Sequence, residues 1–214
     1  MCNRYSVSKR ELLLKTRHGL IQVGFEPRYN ISPTQGAPVA RVVDGGLRLN
    51  ELRWGFDGFN GQSVMNARTE TAHEKRMFRD AWRDRHCLVP CDGFYEWKDT
   101  PEGKQPYRFV LKSRDLYWFA GLWENDRFTI LTVPAQGCVA SMHDRMPAIF
   151  LSSSTCLASP KNGSRRVNRE AQAVPYTGSQ IRLAPYHRWS TALQRPPAHE
   201  SLPHPRPLWH QPSH

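Results

Sequence analysis

The chain opens Met1-Cys2-Asn3-Arg4-Tyr5, and the cysteine in second place brings the most distinctive chemistry of the sequence. A small second residue normally permits removal of the initiator methionine, so the expected mature chain starts at Cys2. Its α-amine and its thiol then share one carbon skeleton as a 1,2-aminothiol. Model α-amines titrate at about 7.7–8.0 and cysteine thiols at about 8.5. Roughly a tenth of the amine is therefore neutral and nucleophilic at pH 7. An aldehyde meeting such a pair loses water to give an imine, and sulfur then closes a five-membered thiazolidine ring. A cysteine beside an initiator methionine is an ordinary occurrence by itself, so the rest of the chain must decide whether this chemistry is used.

Three further segments concentrate side chains able to move protons or hold anions. They are Met65-Asn66-Ala67-Arg68-Thr69-Glu70, the stretch from Cys87 to Trp97, and Ser141-Met142-His143-Asp144-Arg145-Met146-Pro147. Each sits beside a turn-forming Gly or Pro or at the end of a strand-like run, where a rigid scaffold presents functional groups.

The elements that must position these segments read as mixed α+β. Ser8 and Glu11 have capping-box spacing ahead of Leu12, Leu13 and Leu14, and Gly19 offers a stop, which predicts a short helix. Tyr29 to Gly36 reads as a loop broken by Pro33. Asp44-Gly45-Gly46 between Pro38–Val43 and Leu47–Trp54 predicts a hairpin. A second helix is expected over Thr71–Arg83, with a capping box from Thr71 to Glu74 and an apolar face of Met77, Phe78, Ala81 and Trp82. Tyr107–Lys112, Leu116–Trp123 and Arg127–Val133 read as a three-stranded meander with polar turns.

Composition bounds the rest. The 214 residues suit one domain with a tail, and 39% apolar residues can form a core. No apolar run of about 18 residues occurs, and no charged-then-apolar leader precedes Cys2, so neither a membrane span nor a secretory signal is expected. The five cysteines are odd in number and irregularly spaced. Cys87 and Cys91 lack a second ligand pair at zinc spacing, which favours buried thiols in a reducing compartment over a metal site. Net charge is +11. Residues 1–150 hold 22 basic and 17 acidic side chains, and residues 151–214 hold 8 and 2. Such a balance suits a polyanionic partner, although a solvated basic surface explains it equally. Nine of the 17 prolines and five of the nine histidines fall after residue 150. The 152–214 segment is therefore expected to be an irregular, largely disordered tail behind a domain at 1–151.

In this order, the opening Met1-Cys2-x-Arg4-Tyr5, Asn66-Ala67-Arg68, Asp92-Gly93-Phe94-Tyr95-Glu96-Trp97 and His143-Asp144-Arg145-Met146-Pro147 resemble the SRAP family. These are the abasic-site processing proteins formerly described as SOS-response-associated peptidases. Trp54-Gly55 and Ser32-Pro33-Thr34 stand where that family has similar short motifs. The resemblance covers roughly residues 1–150. It implies a single domain on a curled antiparallel β-sheet with short flanking helices. It also implies a DNA-damage protein that scans single-stranded DNA and captures the aldehyde of an opened abasic sugar as a thiazolidine on Cys2.

On the same likeness, Glu96 accepts a proton from the Cys2 amine, and its setting between Tyr95 and Trp97 suits a raised pKa. His143 is the general acid that helps the sugar ring open. Asn66 bonds the sugar or the Cys2 region. Arg4, Arg68 and Arg145 are expected to grip phosphates, with Arg76 and Arg79 extending the track. The bland alternatives are a surface glutamate, an exposed histidine, a turn asparagine and solvated arginines. No cofactor and no metal are implied. The expected partner is single-stranded DNA with abasic sites, bound by a monomer in the cytoplasm, the nucleoid or the nucleus. The same imine chemistry would also support lyase-like strand cleavage or reversal of the crosslink. Two rival readings stay open. One is a thiol peptidase with Cys2 as nucleophile, His143 as base and Glu96 as orienter, acting on peptides or only on residue 1. The other is a non-catalytic or degenerate single-strand-binding module.

Two departures from the family pattern stand out. Phe56-Asp57-Gly58-Phe59-Asn60-Gly61 replaces a longer stretch containing Pro and Trp that shapes a DNA-facing loop. After Leu151 the sequence no longer follows the family's helical and strand segments.

Overall fold

The computed structural model describes residues 2–9, 24–44, 46–112 and 116–150 in full, and the backbone alone of 11–16, 19–23 and 181–184. Strands dominate. In chain order they are β1 (Arg4–Val7), β2 (Glu11–Thr16), β3 (Gly19–Gly24), β4 (Arg28–Ile31), β5 (Gly36–Val43), β6 (Gly46–Trp54), β7 (Phe56–Asp57), β8 (Ser63–Val64) and β9 (Asn66–Arg68). After the one α-helix among the described residues, α1 (Arg79–Asp84), come β10 (His86–Cys91), β11 (Gly93–Thr100), β12 (Gly103–Leu111), β13 (Tyr117–Glu124) and β14 (Arg127–Pro134). The last are β15 (Arg145–Pro147), β16 (Ile149–Phe150) and β17 (Ile181–Ala184).

The larger sheet runs β15-β14-β6-β5-β10-β13-β16 and curls until β13 pairs with β14. β14, β6, β5, β10 and β13 therefore form a closed ring, which leaves no open edge among those five. β14 is its hub. β13 and β15 lie along one edge of it and β6 and β9 along the other, the latter two in parallel register. A smaller antiparallel sheet runs β17-β12-β11-β1-β4.

β10 and β11 are nearly continuous, and the chain changes sheets at Asp92. A glycine after that corner leaves room for the Arg108 guanidinium, because a Cβ on Gly93 would stand 2.5 Å from its Nε. One core fills the space between the sheets, with Tyr5 edge-on to Trp54 at 5.2 Å and to Phe119 at 5.7 Å. β1 is only four residues long. Burial of Tyr5 and Val7 contributes about 1.5–3 kcal/mol per side chain, against about 1 kcal/mol for each ladder hydrogen bond. Packing therefore fixes this short strand at least as much as pairing does.

The α+β expectation is corrected in three places. The helix expected after Ser8 is instead the β2–β3 hairpin, with Glu11 opposite Gly24 and Thr16 opposite Gly19. Its supposed cap is used elsewhere, since both the amide and the hydroxyl of Ser8 donate to Asp92. Three successive leucines also give no single helical stripe, while Ile21 and Val23 favour a strand. The second helix shortens to Arg79–Asp84 behind hydrogen-bonded turns such as Ala72 N to Arg68 O at 2.9 Å. The Thr71 hydroxyl has no hydrogen-bond partner among the described residues, so the second capping box does not form. Its apolar face is as expected, with Phe78 and Ala81 buried beneath Phe56 and Leu131. The meander is also divided. β13 and β14 form a hairpin in the ring, while β12 pairs with β11 and β17 in the other sheet.

The expected tail at 152–214 lies outside the described residues except for Ile181–Ala184, which adds β17 to β12. Among the described residues no helix is long and apolar enough to cross a membrane, and no cluster of acidic, histidine or cysteine side chains would hold a metal ion.

Candidate active site

β1 carries the amino-terminal segment along β11, with Arg4 opposite Tyr95 and Tyr5 opposite Phe94. This register brings Cys2 beside the end of the ring where β9 begins. Cys2 has no exposed surface, and its thiol faces the Arg4 carbonyl at 3.6 Å. Burial pushes the thiol well above its ordinary range, and the neighbouring Glu96 carboxylate pushes in the same direction.

Asn66, the first residue of β9, donates from Nδ2 to the Cys2 carbonyl at 3.1 Å. Its Oδ1 is buried and accepts no hydrogen bond among the described residues. A buried carbonyl left this way normally marks a place for a further donor.

Glu96 is buried on β11 at 4% exposure. Burial raises its carboxyl to about 7, against the lowering influence of the positive chain terminus, and Asp144 adds to the rise. Near pH 7 this group exchanges a proton with little driving force either way, as a base working on an amine requires.

His143 closes the turn after β14, where its amide bonds the Val139 carbonyl at 3.0 Å. Its Nδ1 lies 3.0 Å from the Arg145 amide and 2.7 Å from Asp144 Oδ1. One nitrogen cannot serve both, because it must accept from the amide or donate to the carboxylate. Burial, followed by the positive chain terminus, lowers the His143 pKa, with Asp144 acting against them. If the neutral ring accepts the amide at Nδ1 its proton lies on Nε2, and if it donates to Asp144 the proton lies on Nδ1. The influence of the Asp144 carboxylate on both Glu96 and His143 puts the three groups in one electrostatic neighbourhood.

The five arginines expected to contact DNA fall in different surroundings, and Arg79 is exposed on α1 with its Nε 3.7 Å from Asp80 Oδ1. Arg68 is exposed two residues beyond Asn66. Arg4 is half-buried and bonds Asn30 Oδ1 at 2.8 Å. Arg145 is buried and holds Glu70 through two bonds, at 2.7 and 2.8 Å. Arg76 is exposed but lines a separate cleft of about 390 Å³ with Phe59, Met77 and Arg127. That cleft adjoins the β13–β14 turn, at the opposite end of β14 from Arg145.

One supporting cluster escaped sequence reasoning. Asp92 accepts from the Ser6 hydroxyl at 2.6 Å and from Arg108 Nη2 at 2.9 Å in the buried interior, and from the half-buried Ser8. It ties β1 to β11 and β12, and so fixes the strand that carries Cys2. The available signal was a charge at position 108 within the apolar run Tyr107 to Leu111.

The site thus sits on a curled, closed β-ring, with the buried Cys2 bonded through its carbonyl to Asn66 and neighboured by the buried Glu96. Residues 1–185 match the family described as SOS response associated peptidase (SRAP), and this chain belongs to that family. The match extends past the residue-150 limit reached by the short motifs. Among its relatives, abasic site processing protein YobE of Bacillus subtilis is 37% identical over 144 residues, 59% of this chain and 65% of the relative. Abasic site processing protein YedK of Escherichia coli is 29% identical over 167 residues, 70% of this chain and 75% of the relative. The crystal structure of a phage-related protein from Bordetella bronchiseptica superposes with a TM-score of 0.65 at 25% identity, covering 86% of this chain and 93% of that one. The chain spans less than two thirds of the length of YobE.

Proposed function

We propose that this chain captures abasic sites in single-stranded DNA by forming a covalent thiazolidine through Cys2 after loss of Met1. The observation that carries the reading is the placing of Asn66 on the Cys2 carbonyl beside a buried carboxyl raised to about 7. The names of the relatives agree with it in substrate.

The chemistry proceeds in two steps. Glu96 accepts a proton from the Cys2 ammonium, and the neutral amine adds to the sugar aldehyde. Loss of one water gives the imine. The thiol then adds across C=N, forming the C–S bond while nitrogen takes the thiol proton, with no oxidant or reductant involved. The protonated, imidazolium form of His143 supplies a proton to the ring oxygen as the sugar opens, and is left as the neutral ring. Asn66 holds the backbone of the nucleophile, and its Oδ1 suits a sugar hydroxyl. Arg68 suits a flanking phosphate, whereas Arg145 is already committed to Glu70. Hydrolysis or β-elimination from the imine would give crosslink reversal or strand cleavage at the same centre.

Peptide hydrolysis is the weaker reading. A thiol peptidase attacks as thiolate, and burial works against that form of Cys2. Amine-first capture needs no thiolate at the outset.

The test is a denaturing gel of the purified protein, its terminus confirmed by mass spectrometry, with an oligonucleotide carrying one abasic site. A band that survives boiling and disappears in Cys2→Ala is the expected result. The same band in Cys2→Ala would overturn the proposal.

A further inference from the structure

Glu70 lies outside the residues given chemical roles above, yet the structure joins it to one of them. It follows β9, four positions after Asn66. Its partner Arg145 opens β15, on the opposite edge of β14. The Arg145 guanidinium thus reaches across β14, meeting Glu70 Oε1 at 2.7 Å and Oε2 at 2.8 Å. On the way Nη2 donates to the Thr132 carbonyl at 2.6 Å, and that carbonyl also takes the Thr69 amide at 3.0 Å. A two-pronged arginine–carboxylate pair of this kind fixes orientation as well as distance. The pair therefore clips the segment bearing Asn66 to the segment bearing His143.

The backbone of Arg145 continues the link, since its amide is the group that His143 Nδ1 accepts at 3.0 Å. Asp144 Oδ1, at 2.7 Å from the same nitrogen, competes for it. Which neighbour prevails decides whether the proton sits on Nε2 or Nδ1. A fixed Arg145 backbone favours the amide.

We infer that Glu70 is a positioning residue which, through Arg145, holds the His143 ring in the tautomer with its proton on Nε2. The inference rests on the capture reading for its effect on rate, but not for its effect on the ring.

The experiment combines two readouts on Glu70→Gln and Glu70→Asp. The first is the ¹⁵N spectrum of the His143 imidazole in the free protein. The second is the rate of heat-stable crosslinking to an abasic oligonucleotide. Glu70→Gln is expected to move the His143 signals from a pure Nδ1 acceptor toward a mixture, and to slow capture by about tenfold or more, as small misplacements do. Glu70→Asp, which keeps the charge on a shorter arm, is expected to recover part of both effects. Should Glu70→Gln fail to fold, Arg145→Lys gives the same comparison, because it keeps the charge but loses the fork. His143 signals that stay unchanged in the folded variant overturn the inference, whatever happens to the rate. If the unaltered protein forms no crosslink, the capture reading fails, while the imidazole spectra still decide the role of Glu70.

Discussion

Glu96 is deeply buried, and that burial is the main cause that raises its carboxyl to about 7. Only its ionised form can take a proton from an amine, so capture should accelerate as pH rises through about 7. Glu96→Gln should lower the capture rate by about a hundredfold or more. It should also leave only the later rise that follows the amine itself, at about 7.7–8.0. Single-turnover crosslinking from pH 5.5 to 9 checks both. The residue types were legible in the sequence, because Cys2, Asn66, Glu96 and His143 all stood in recognisable short motifs. Their environments were less so. Nothing local announces that Cys2 is fully buried, that Arg145 turns inward to Glu70, or that His143 Nδ1 stands between an amide and a carboxylate. Those are long-range facts of packing.

At the scale of elements, Asp92 is the post to which β1 is tied. It and Arg108 are both largely enclosed, with side chains 5% and 10% exposed. Replacing one member of a buried pair leaves the other charge uncompensated, which costs about 3–5 kcal/mol. Asp92→Ala should therefore lower the free energy of unfolding by about that amount in a denaturant titration. A loss below about 1 kcal/mol would show that Arg108 finds other acceptors. The same network explains where sequence reasoning failed. Ser8 and Glu11 fit a local helix signal, but Asp92, far along the chain, claims the serine. The Pro38–Trp54 and Leu116–Val133 hairpins were legible because apolar alternation and turn residues agreed with the sheet that formed. The division of the supposed meander between two sheets was not, since it depends on which partner β12 meets across space.

For the whole molecule, the net charge of +11 becomes informative only once located. Arg68 stands exposed beside Asn66, whereas Arg76 belongs to the cleft at the other end of β14. Arg68→Ala should weaken binding to a short abasic oligonucleotide and reduce the salt slope by about 0.7, the share of one single-strand phosphate. Arg76→Ala should leave both unchanged for an oligonucleotide too short to reach that cleft. Anisotropy titrations between 50 and 200 mM salt distinguish them. Mass spectrometry of the trimmed, digested adduct shows whether both nucleophilic atoms of Cys2 bond the same sugar carbon. The expected product is a peptide beginning at Cys2, lacking Met1, that carries the sugar less one water and has a thiol resistant to alkylation. An adduct on a lysine, a retained Met1, or a Cys2 thiol that still alkylates would contradict it.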